Sequence, residues 1–364
     1  VYKRLFQLFR EADDRYNSGL FHFSPEKGRF SDMDELTPDL AVDDKVLKDI
    51  LKSIYYPDSP YEFSVLPADI LGQVYERFLG KVIRLTPAHR AVIELKPEVR
   101  KAGGVYYTPT YIVDYIVKET VGKLLKGKKP GPQGGASKLR ILDPACGSGS
   151  FLLGAYQYLL DWHRDMYVKD DPVKWARGRN PRLYQKSGED WRLTTTERKR
   201  ILLNNIYGVD KDDQAVEVTK LSLLLKVLEG EDEETIQRQL SLFQQRALPD
   251  LGSNIKCGNS LIGSDFYDGT QTNLFDEEDI YRINAFDWDQ EFPQIMKNGG
   301  FDAVIGNPPY VRQEGLQDSK AYFEKHFSVY HGVADLYAYF IEKGVSLLRQ
   351  GGFFSYIVAN KWLR

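Results

Sequence analysis

The residues with the clearest chemistry are Asn307, Pro308, Pro309 and Tyr310, which directly follow the apolar run 301–306. Two consecutive prolines lack backbone donors and stiffen the loop, so its carbonyl oxygens can accept hydrogen bonds from a ligand amine. An amine conjugated to a ring is a weak nucleophile because its lone pair is delocalised. The Asn307 side chain and the Pro308 carbonyl would hold both amine hydrogens and stabilise the positive charge that develops during attack. Tyr310 would stack on the ring of an extruded base.

A second candidate site is a glycine-rich turn between a predicted strand over 139–143 and a predicted helix. Asp143 ends the strand, and Ala145, Gly147 and Gly149 lie in the turn. Glycine lets the backbone come close to a ligand that a side chain would exclude. The spacing of these glycines differs from the GxGxxG pattern of dinucleotide-binding folds, so NAD is not the expected ligand.

Two further polar positions follow this turn in an order that suits an adenosyl ligand. Asp210 ends a predicted strand over 206–210, where a carboxylate can accept hydrogen bonds from both hydroxyls of a ribose. Its distance along the chain from Asp143 is far greater than the roughly 20 residues of a plain Rossmann unit, and an insertion accounts for the excess. Asn259 lies in a polar loop after a short apolar step, where it would contact the adenine end.

The elements that must position these residues are an alternation of strands and helices. Strands are predicted over 139–143, 206–210, 301–305 and 353–358, and helices from about residue 151, over 214–228 and over 336–348. This alternation predicts an α/β fold with a mainly parallel, doubly wound sheet. Two insertions interrupt it, at about 161–200 and 265–299.

The N-terminal region is predicted to be all-helical from residue 1 to about 96, because apolar residues recur there at helical spacing. A Gly-Gly pair at 103–104 ends the pattern. Thr108 as N-cap, with Pro109 at the first helical position, then predicts a helix that runs to about residue 125.

The first insertion carries 11 basic and seven acidic residues, with Trp162, Trp175 and Trp191 between them. This mixture suits a phosphate backbone, but a solvated helical flap is the favoured interpretation. The whole chain has a net charge of −3, from 49 basic and 52 acidic residues, and gives no sign of a polyanionic partner. Any nucleic-acid role must therefore depend on local sites.

Composition indicates a globular protein of about two domains, with 42% apolar and 28% charged residues among 364. Cys146 and Cys257 are too few for a disulfide framework or a thiolate-rich zinc site, so we expect a cytoplasmic protein. No apolar run is long enough to cross a membrane, and no leader opens the sequence. Because the chain begins with Val1 and ends at Arg364 directly after a predicted strand, we expect it to be part of a longer protein.

Four motifs together resemble those of a known family: 103–109 (GGVYYTP), 143–151 (DPACGSGSF), 208–210 (GVD) and 307–310 (NPPY). Their order resembles the gamma arrangement of S-adenosylmethionine-dependent adenine-N6 DNA methyltransferases. Over about 61–364 the chain is similar to type IIG restriction-modification enzymes and BREX-type phage-defence methyltransferases.

The resemblance implies a Rossmann-like methyltransferase core over 101–364, a helical region over 1–100 and a target-recognition domain beyond this chain. It implies S-adenosylmethionine as cofactor, double-stranded DNA with a flipped base as partner, no metal and a possible fused nuclease elsewhere. The residues implied to bind the cofactor are Tyr107, Thr108, Asp143, Ala145, Gly147, Gly149, Asp210 and Asn259, of which Tyr107 and Thr108 would hold its methionine end. The residues implied to be catalytic are Asn307, Pro308, Pro309 and Tyr310.

Several alternatives remain open. Glutamine-N5 protein methyltransferases share Asn-Pro-Pro-Tyr, but they lack the Tyr-Tyr-Thr-Pro element and the long insertions. N4-cytosine methylation also uses an exocyclic amine, although that family usually has Ser in place of Asn307. A catalytically silent scaffold that binds the cofactor or DNA is another possibility. Asp58, Glu94 and Lys96 superficially fit a nuclease signature, but they lie in a region predicted to be helical, and we interpret the match as coincidence.

Overall fold

The structure of the chain is a computed structural model. It describes residues 1–16, 37–59, 70, 81–86, 88, 90–95, 108–185, 188, 190–231, 248–268, 282–312, 316 and 319–360.

The N-terminal region contains helices α1 (Tyr2–Tyr16) and α2 (Asp44–Ile54) and a hairpin of strands β1 (Lys81–Leu85) and β2 (Ala91–Leu95). The two strands are antiparallel. The expectation of an all-helical region up to residue 96 is therefore wrong. Each strand contains a Val-Ile pair, and β-branched residues favour an extended backbone once a partner strand is available.

From α3 (Thr110–Leu125) onward the chain follows the predicted alternation of strands and helices. In chain order the further elements are β3 (Ile141–Asp143), α4 (Ser150–Asp170), α5 (Pro172–Trp175), β4 (Leu183–Gln185), β5 (Trp191–Leu193), α6 (Thr195–Asn205), β6 (Ile206–Asp210), α7 (Asp213–Leu228), β7 (Ile255–Cys257), α8 (Trp288–Glu291), α9 (Pro293–Lys297), β8 (Phe301–Gly306), α10 (Lys320–His326), α11 (Leu336–Ser346) and β9 (Leu348–Tyr356). Each strand and helix predicted in this part has an observed counterpart. The sequence did not predict β4, β5 and β7, because three residues are too few to show a periodicity.

A parallel sheet with the strand order β7-β6-β3-β8-β9 forms the centre of the described chain. Every residue of β3 and β8 is buried. Ile141 and Ile305 face a core formed with α3, α4 and α7, whereas Leu142 and Val304 face a second core that includes Trp288. Apolar layers on both faces confirm the predicted doubly wound α/β architecture, and they explain why these strands are apolar except at Asp143 and Asp302.

The order in which strands are added to the sheet reverses between β3 and β8. From β3 the chain proceeds outward to β6 and β7, and it later returns to the other side of β3 as β8 and β9. Ile141 pairs with Ala303 and Leu142 with Val304, so Asp143 lies level with Ile305 and β8 extends one residue farther, to Gly306. In open parallel sheets the loops that diverge at such a point form a ligand-binding crevice.

No helix in the described part of the chain has both the length and the apolar character that crossing a bilayer requires.

The first insertion folds as a layer against the core and is not a solvated helical flap. It comprises the end of α4, α5, the β4–β5 hairpin and α6. Trp162, Trp175 and Trp191 are partly buried and pack against the core cluster that contains α4. These tryptophans thus stabilise the fold.

Many of its basic side chains form ion pairs with acidic ones. Such pairs include Arg164 with Asp161 and Asp165, Lys174 with Asp170, Arg192 with Asp190 and Arg198 with Glu231. This pairing leaves fewer cations for a phosphate backbone than the composition of the insertion suggested.

A buried ion network lies at the centre of this layer. The fully buried Glu197 carboxylate accepts hydrogen bonds from Tyr167 OH at 2.6 Å, Arg182 Nη1 at 3.1 Å and Arg200 Nη2 at 2.6 Å. Burial favours the neutral acid, but the bonds from Arg200 and Tyr167 and the nearby positive charges hold the pKa of Glu197 below its ordinary value. The carboxylate therefore stays ionised inside the protein.

We expect Glu197→Ala to destabilise the protein by about 3 to 5 kcal/mol, because it leaves two largely buried arginines without their anion. Urea unfolding measures the effect. The control is Glu119→Ala, which removes an exposed pair with Lys123 and should destabilise the protein far less. Equal losses in the two variants would contradict a structural role for the network.

Candidate active site

The loops that follow β3 and β8 meet at the carboxyl edge of the sheet. Gly306 ends β8, and a Cβ atom added to it would lie 2.6 Å from Asp143 Oδ1. Only a residue without a side chain allows this approach. The contact brings the predicted cofactor turn and the predicted catalytic loop side by side.

The glycine turn is open on one side and packed on the other. Gly147 has a φ of 53°, and a Cβ atom there would meet no heavy atom within 4 Å. Gly149 has a φ of 85°, and a Cβ atom there would lie 2.9 Å from both the methyl and the hydroxyl of Thr219. The turn thus leaves space beside Gly147 while Gly149 packs against α7.

Both backbone polar groups of Gly147 bond to side chains of β6 and α7. Its N–H donates to Asp210 Oδ2 at 2.8 Å, and its carbonyl accepts from Thr219 Oγ1 at 2.8 Å. Asp210 Oδ1 accepts from Asp212 N at 2.9 Å. The backbone amide of Lys211 also bonds to this carboxylate. Since a carboxylate has about four lone-pair positions, Asp210 can still accept a further donor.

Thr219 is a residue that the sequence reasoning missed. It is fully buried in the middle of α7. A hydroxyl on the apolar face of a predicted helix was the only available signal, and it does not identify a partner 72 residues away along the chain.

Two carboxyl groups lie next to the turn, of which Asp143 is buried and Asp210 is partly buried. Burial raises the pKa of Asp143 to about 8, although the hydrogen bond from Ala145 N at 3.0 Å opposes this shift. The Asp210 carboxylate raises the pKa of Asp143 further. Burial also raises the pKa of Asp210, against the hydrogen bonds from the backbone amides of Asp212 and Gly147. A cation placed near these groups would favour their ionised forms.

The Asn307 amide lies between two hydroxyls. Its Nδ2 donates to Thr108 Oγ1 at 3.1 Å, and its Oδ1 accepts from Tyr310 OH at 2.8 Å. The N-cap of α3 is Pro109, so the prediction that Thr108 caps this helix is wrong. The Thr108 hydroxyl bonds instead to the loop after β8.

The rest of the Asn-Pro-Pro-Tyr loop lies partly in the protein and partly at the surface. Pro308 is buried, Pro309 is exposed and Tyr310 is half-buried. The Tyr310 ring centroid lies 6.4 Å from that of Tyr337 on α11. Burial raises the pKa of Tyr310, so its hydroxyl remains a proton donor at neutral pH.

The loop after β7 is fastened to the glycine turn through a serine that the sequence reasoning also missed. Ser260 Oγ donates to Pro144 O at 2.5 Å. The side chain of the neighbouring Asn259 bonds to two backbone groups. Its Nδ2 donates to Ile283 O at 3.2 Å, and its Oδ1 accepts from Leu261 N at 3.1 Å. A contact of Asn259 with adenine stays a prediction.

Of the remaining predicted cofactor residues, the structure describes Ala145 but not Tyr107. Ala145 is partly buried and packs against the cluster that contains Leu261 and Phe340. Tyr107 lies outside the described residues.

The nuclease-like residues are placed differently from what the sequence predicted. Glu94 lies on strand β2, and its carboxylate forms two hydrogen bonds with Arg84, at 2.7 and 3.1 Å. Asp58 lies after α2, and Lys96 is outside the described residues. In the part of the chain that is described, no three His, Cys, Asp or Glu side chains are grouped so as to hold a metal ion.

Comparison with known proteins identifies the family. The N-6 DNA methylase family model matches residues 67–248, which is half of the chain. The chain belongs to the N-6 DNA methylase family. A second model, Eco57I restriction-modification methylase, matches residues 204–364 of this methylase chain. Together the two matches cover both candidate loops and confirm the predicted resemblance.

Named relatives of this methylase chain are longer proteins. The type II restriction enzyme and methyltransferase RM.Eco57I of Escherichia coli is 34% identical over 373 residues, which cover 100% of this chain and 33% of that protein. The putative type II restriction enzyme and methyltransferase RM.MjaORFECS2P of Methanocaldococcus jannaschii is 31% identical over 54% of this chain and 17% of its own length. The adenine-specific methyltransferase PglX of Streptomyces coelicolor is 24% identical over 65% of this chain and 16% of its own length. The methylase chain therefore spans a third or less of these relatives.

Asp143→Asn removes an acid whose folded-state pKa of about 8 lies above its ordinary value of 3.8. The folded protein therefore binds more protons than the unfolded chain between these pH values, and wild-type stability falls as pH rises through this window. We expect the melting temperature of Asp143→Asn to exceed that of wild type at pH 8, by about 2 to 4 °C for each kcal/mol recovered.

Thermal unfolding between pH 4 and pH 8 measures this difference, which should shrink toward pH 4. Asp114→Asn, an exposed position on α3, is the matched control. A difference of the same size at both ends of the range would show that the buried charge is not its cause.

Proposed function

We propose that this chain is the catalytic core, over about 101–364, of a site-specific DNA methyltransferase. It transfers a methyl group from S-adenosylmethionine to N6 of an adenine flipped out of double-stranded DNA, as part of a restriction-modification or phage-defence system. The observation that carries this proposal is the contact between Gly306 and Asp143, which places the Asn307 loop beside the glycine turn. Membership of the N-6 DNA methylase family supports the same reaction.

The residues around the glycine turn fit S-adenosylmethionine. The Asp210 carboxylate can accept a further hydrogen bond, from a ribose hydroxyl, and the open side of Gly147 admits a ligand next to the backbone. The carboxyls of Asp143 and Asp210 would be stabilised in their ionised forms by a positively charged ligand. When bound, S-adenosylmethionine supplies a methyl group attached to a cationic sulfur.

Asn307 and Pro308 would make the adenine amine a better nucleophile. Asn307 Oδ1 accepts one N6 hydrogen and the Pro308 carbonyl accepts the other, which favours a tetrahedral nitrogen whose lone pair is free to attack. The new bond joins N6 to the methyl carbon as the carbon–sulfur bond breaks with its electron pair on sulfur. The same two oxygens stabilise the positive charge on N6 until it loses a proton.

Tyr310 would stack on the flipped base. In the structure its hydroxyl occupies Asn307 Oδ1, the atom that the amine needs. As the ring moves to stack on the base, its hydroxyl leaves this oxygen, and the amine replaces it as the donor. This exchange leaves no buried acceptor unpaired, which would otherwise cost about 1 to 3 kcal/mol.

The relatives are several times as long as this chain, and we propose that target recognition and any nuclease activity reside in other parts of the complete protein. The test therefore uses the complete natural protein, with unmethylated plasmid DNA and a radiolabelled methyl donor. We expect Asn307→Ala to lower methyl transfer by at least about 100-fold while calorimetry finds cofactor affinity changed by less than about threefold. Asp210→Ala should instead weaken cofactor binding by about 10-fold or more, because it removes the ribose acceptor.

The matched control is Asn298→Ala, an exposed asparagine whose side chain bonds only to the nearby Gln294 carbonyl, and it should change neither quantity. Nucleoside analysis of the product identifies the acceptor atom. Methyl transfer to protein, or N4-methylcytosine in place of N6-methyladenine, would overturn the proposed substrate.

A further inference from the structure

We propose that Thr108 is a positioning residue whose hydroxyl sets the orientation of the catalytic Asn307 amide. This inference rests on the proposed function and concerns how the same site is organised. The resemblance assigns Thr108 to the methionine end of the cofactor, whereas the structure places its hydroxyl 3.1 Å from Asn307 Nδ2.

The Thr108 hydroxyl does not cap the helix that it precedes. Threonine near a helix start usually accepts a hydrogen bond from the first turn. Here the N-cap is Pro109, whose side chain makes no capping hydrogen bond. Thr108 is 6% exposed, and its Oγ1 reaches a residue 199 positions later in the chain.

A rigid helix supports Thr108. Val113, Ile116 and Val117 of α3 are buried in the main core, and α3 packs against α4, β8 and β9. A Cβ atom added at Gly154 of α4 would lie 2.4 Å from a Val113 methyl, so the two helices touch at this point. Because β8 leads directly into Asn307, the distance from Thr108 to the amide is set by packed elements.

The orientation of the Asn307 amide matters because its two ends have nearly the same shape and opposite hydrogen-bonding character. Rotation by half a turn would point the Nδ2 donors at the substrate amine, which is itself a donor. The productive orientation puts Oδ1 toward the amine and Nδ2 away from it, where an acceptor for the Nδ2 hydrogens holds the amide in place. Thr108 Oγ1 occupies the position of that acceptor.

The Asn307 amide needs its hydrogen bond to Thr108 most when the base binds. In the structure Tyr310 OH holds Oδ1 at 2.8 Å, but the same tyrosine would leave this oxygen to stack on the flipped adenine. Of the two side-chain hydrogen bonds that the structure describes for this amide, the bond to Thr108 then remains. Thr108 thus holds the amide during the step in which Oδ1 must face the substrate.

The positioning role and the cofactor-binding role predict different kinetics. A hydroxyl that binds cofactor contributes to its affinity, so its loss raises the cofactor dissociation constant and saturation restores the rate. A hydroxyl that orients Asn307 contributes to the methyl-transfer step, so its loss lowers the rate even when cofactor and DNA saturate the enzyme.

The test is Thr108→Val in the complete natural protein, which keeps the shape of the side chain and removes the acceptor. We expect the single-turnover rate on unmethylated plasmid DNA, at saturating S-adenosylmethionine, to fall by about 10- to 100-fold. Calorimetry should find the cofactor dissociation constant within about threefold of wild type. Thr108→Ser restores the hydroxyl and should recover most of the rate.

Thr120→Val is the matched control. Thr120 is 3% exposed on the same helix, and its hydroxyl bonds to Ile116 O at 2.7 Å, within α3. Removing this hydroxyl should leave the saturated rate within about twofold of wild type, because it lies outside the site. A similar loss of rate in both variants would mean that a buried hydroxyl on α3 acts only through helix stability, and would overturn the proposal.

The other outcomes are equally decisive. A saturated rate equal to wild type in Thr108→Val overturns the positioning role, and a raised dissociation constant in that case assigns Thr108 to the cofactor. If the valine variant unfolds, the saturated rate of Thr108→Ala is compared with wild type instead. A wild-type protein that transfers no methyl group overturns the proposed function itself, which distinguishes that failure from a failure of this inference.

Discussion

The parallel pairing of β3 with β8 is the constraint on which the rest of the candidate site depends. The register places the ends of these strands within one residue of each other, and the absence of a side chain at Gly306 lets the end of β8 approach Asp143 closely. Because the strands are buried on both faces, this register is enforced by two apolar cores, and a shift by one residue would exchange the faces of every side chain. The close approach of the two loops is thus a consequence of core packing.

Around this contact the protein holds its loops with hydrogen bonds from three separate elements. Asp210 and Thr219 bind the Gly147 peptide from the β6–α7 segment, Ser260 binds the loop after β3, and Thr108 binds Asn307. Each partner is a side chain on, or next to, a regular element, so the loops inherit the rigidity of the sheet and its helices. The cost of this arrangement is that two neighbouring carboxyls, those of Asp143 and Asp210, have raised pKa values, which a cationic ligand would offset.

The basic insertion shows how charge can serve the fold. Composition alone made it a candidate for phosphate contact, but Glu197 binds Arg182 and Arg200 within a buried network, and three tryptophans pack beneath. Buried arginines require anions in fixed positions, and here the protein supplies them itself. The loops at the carboxyl edge of the sheet are therefore the better candidate for ligand binding, because the Asp210 carboxylate and the open space beside Gly147 lie there.

The sequence by itself determined the alternation of strands and helices, the order of the motifs and the hydrogen-bonding groups that the Asn-Pro-Pro-Tyr loop carries, because each depends on residues that are neighbours in the chain. It did not determine the β1–β2 hairpin, whose short β-branched runs fit a helix or a strand until a partner strand is present. Only the tertiary structure decided that Thr108 bonds to Asn307 and that Thr219 bonds to Gly147. Hydrogen bonds between distant elements leave no periodicity in the sequence, since they depend on how the packed elements bring single side chains together.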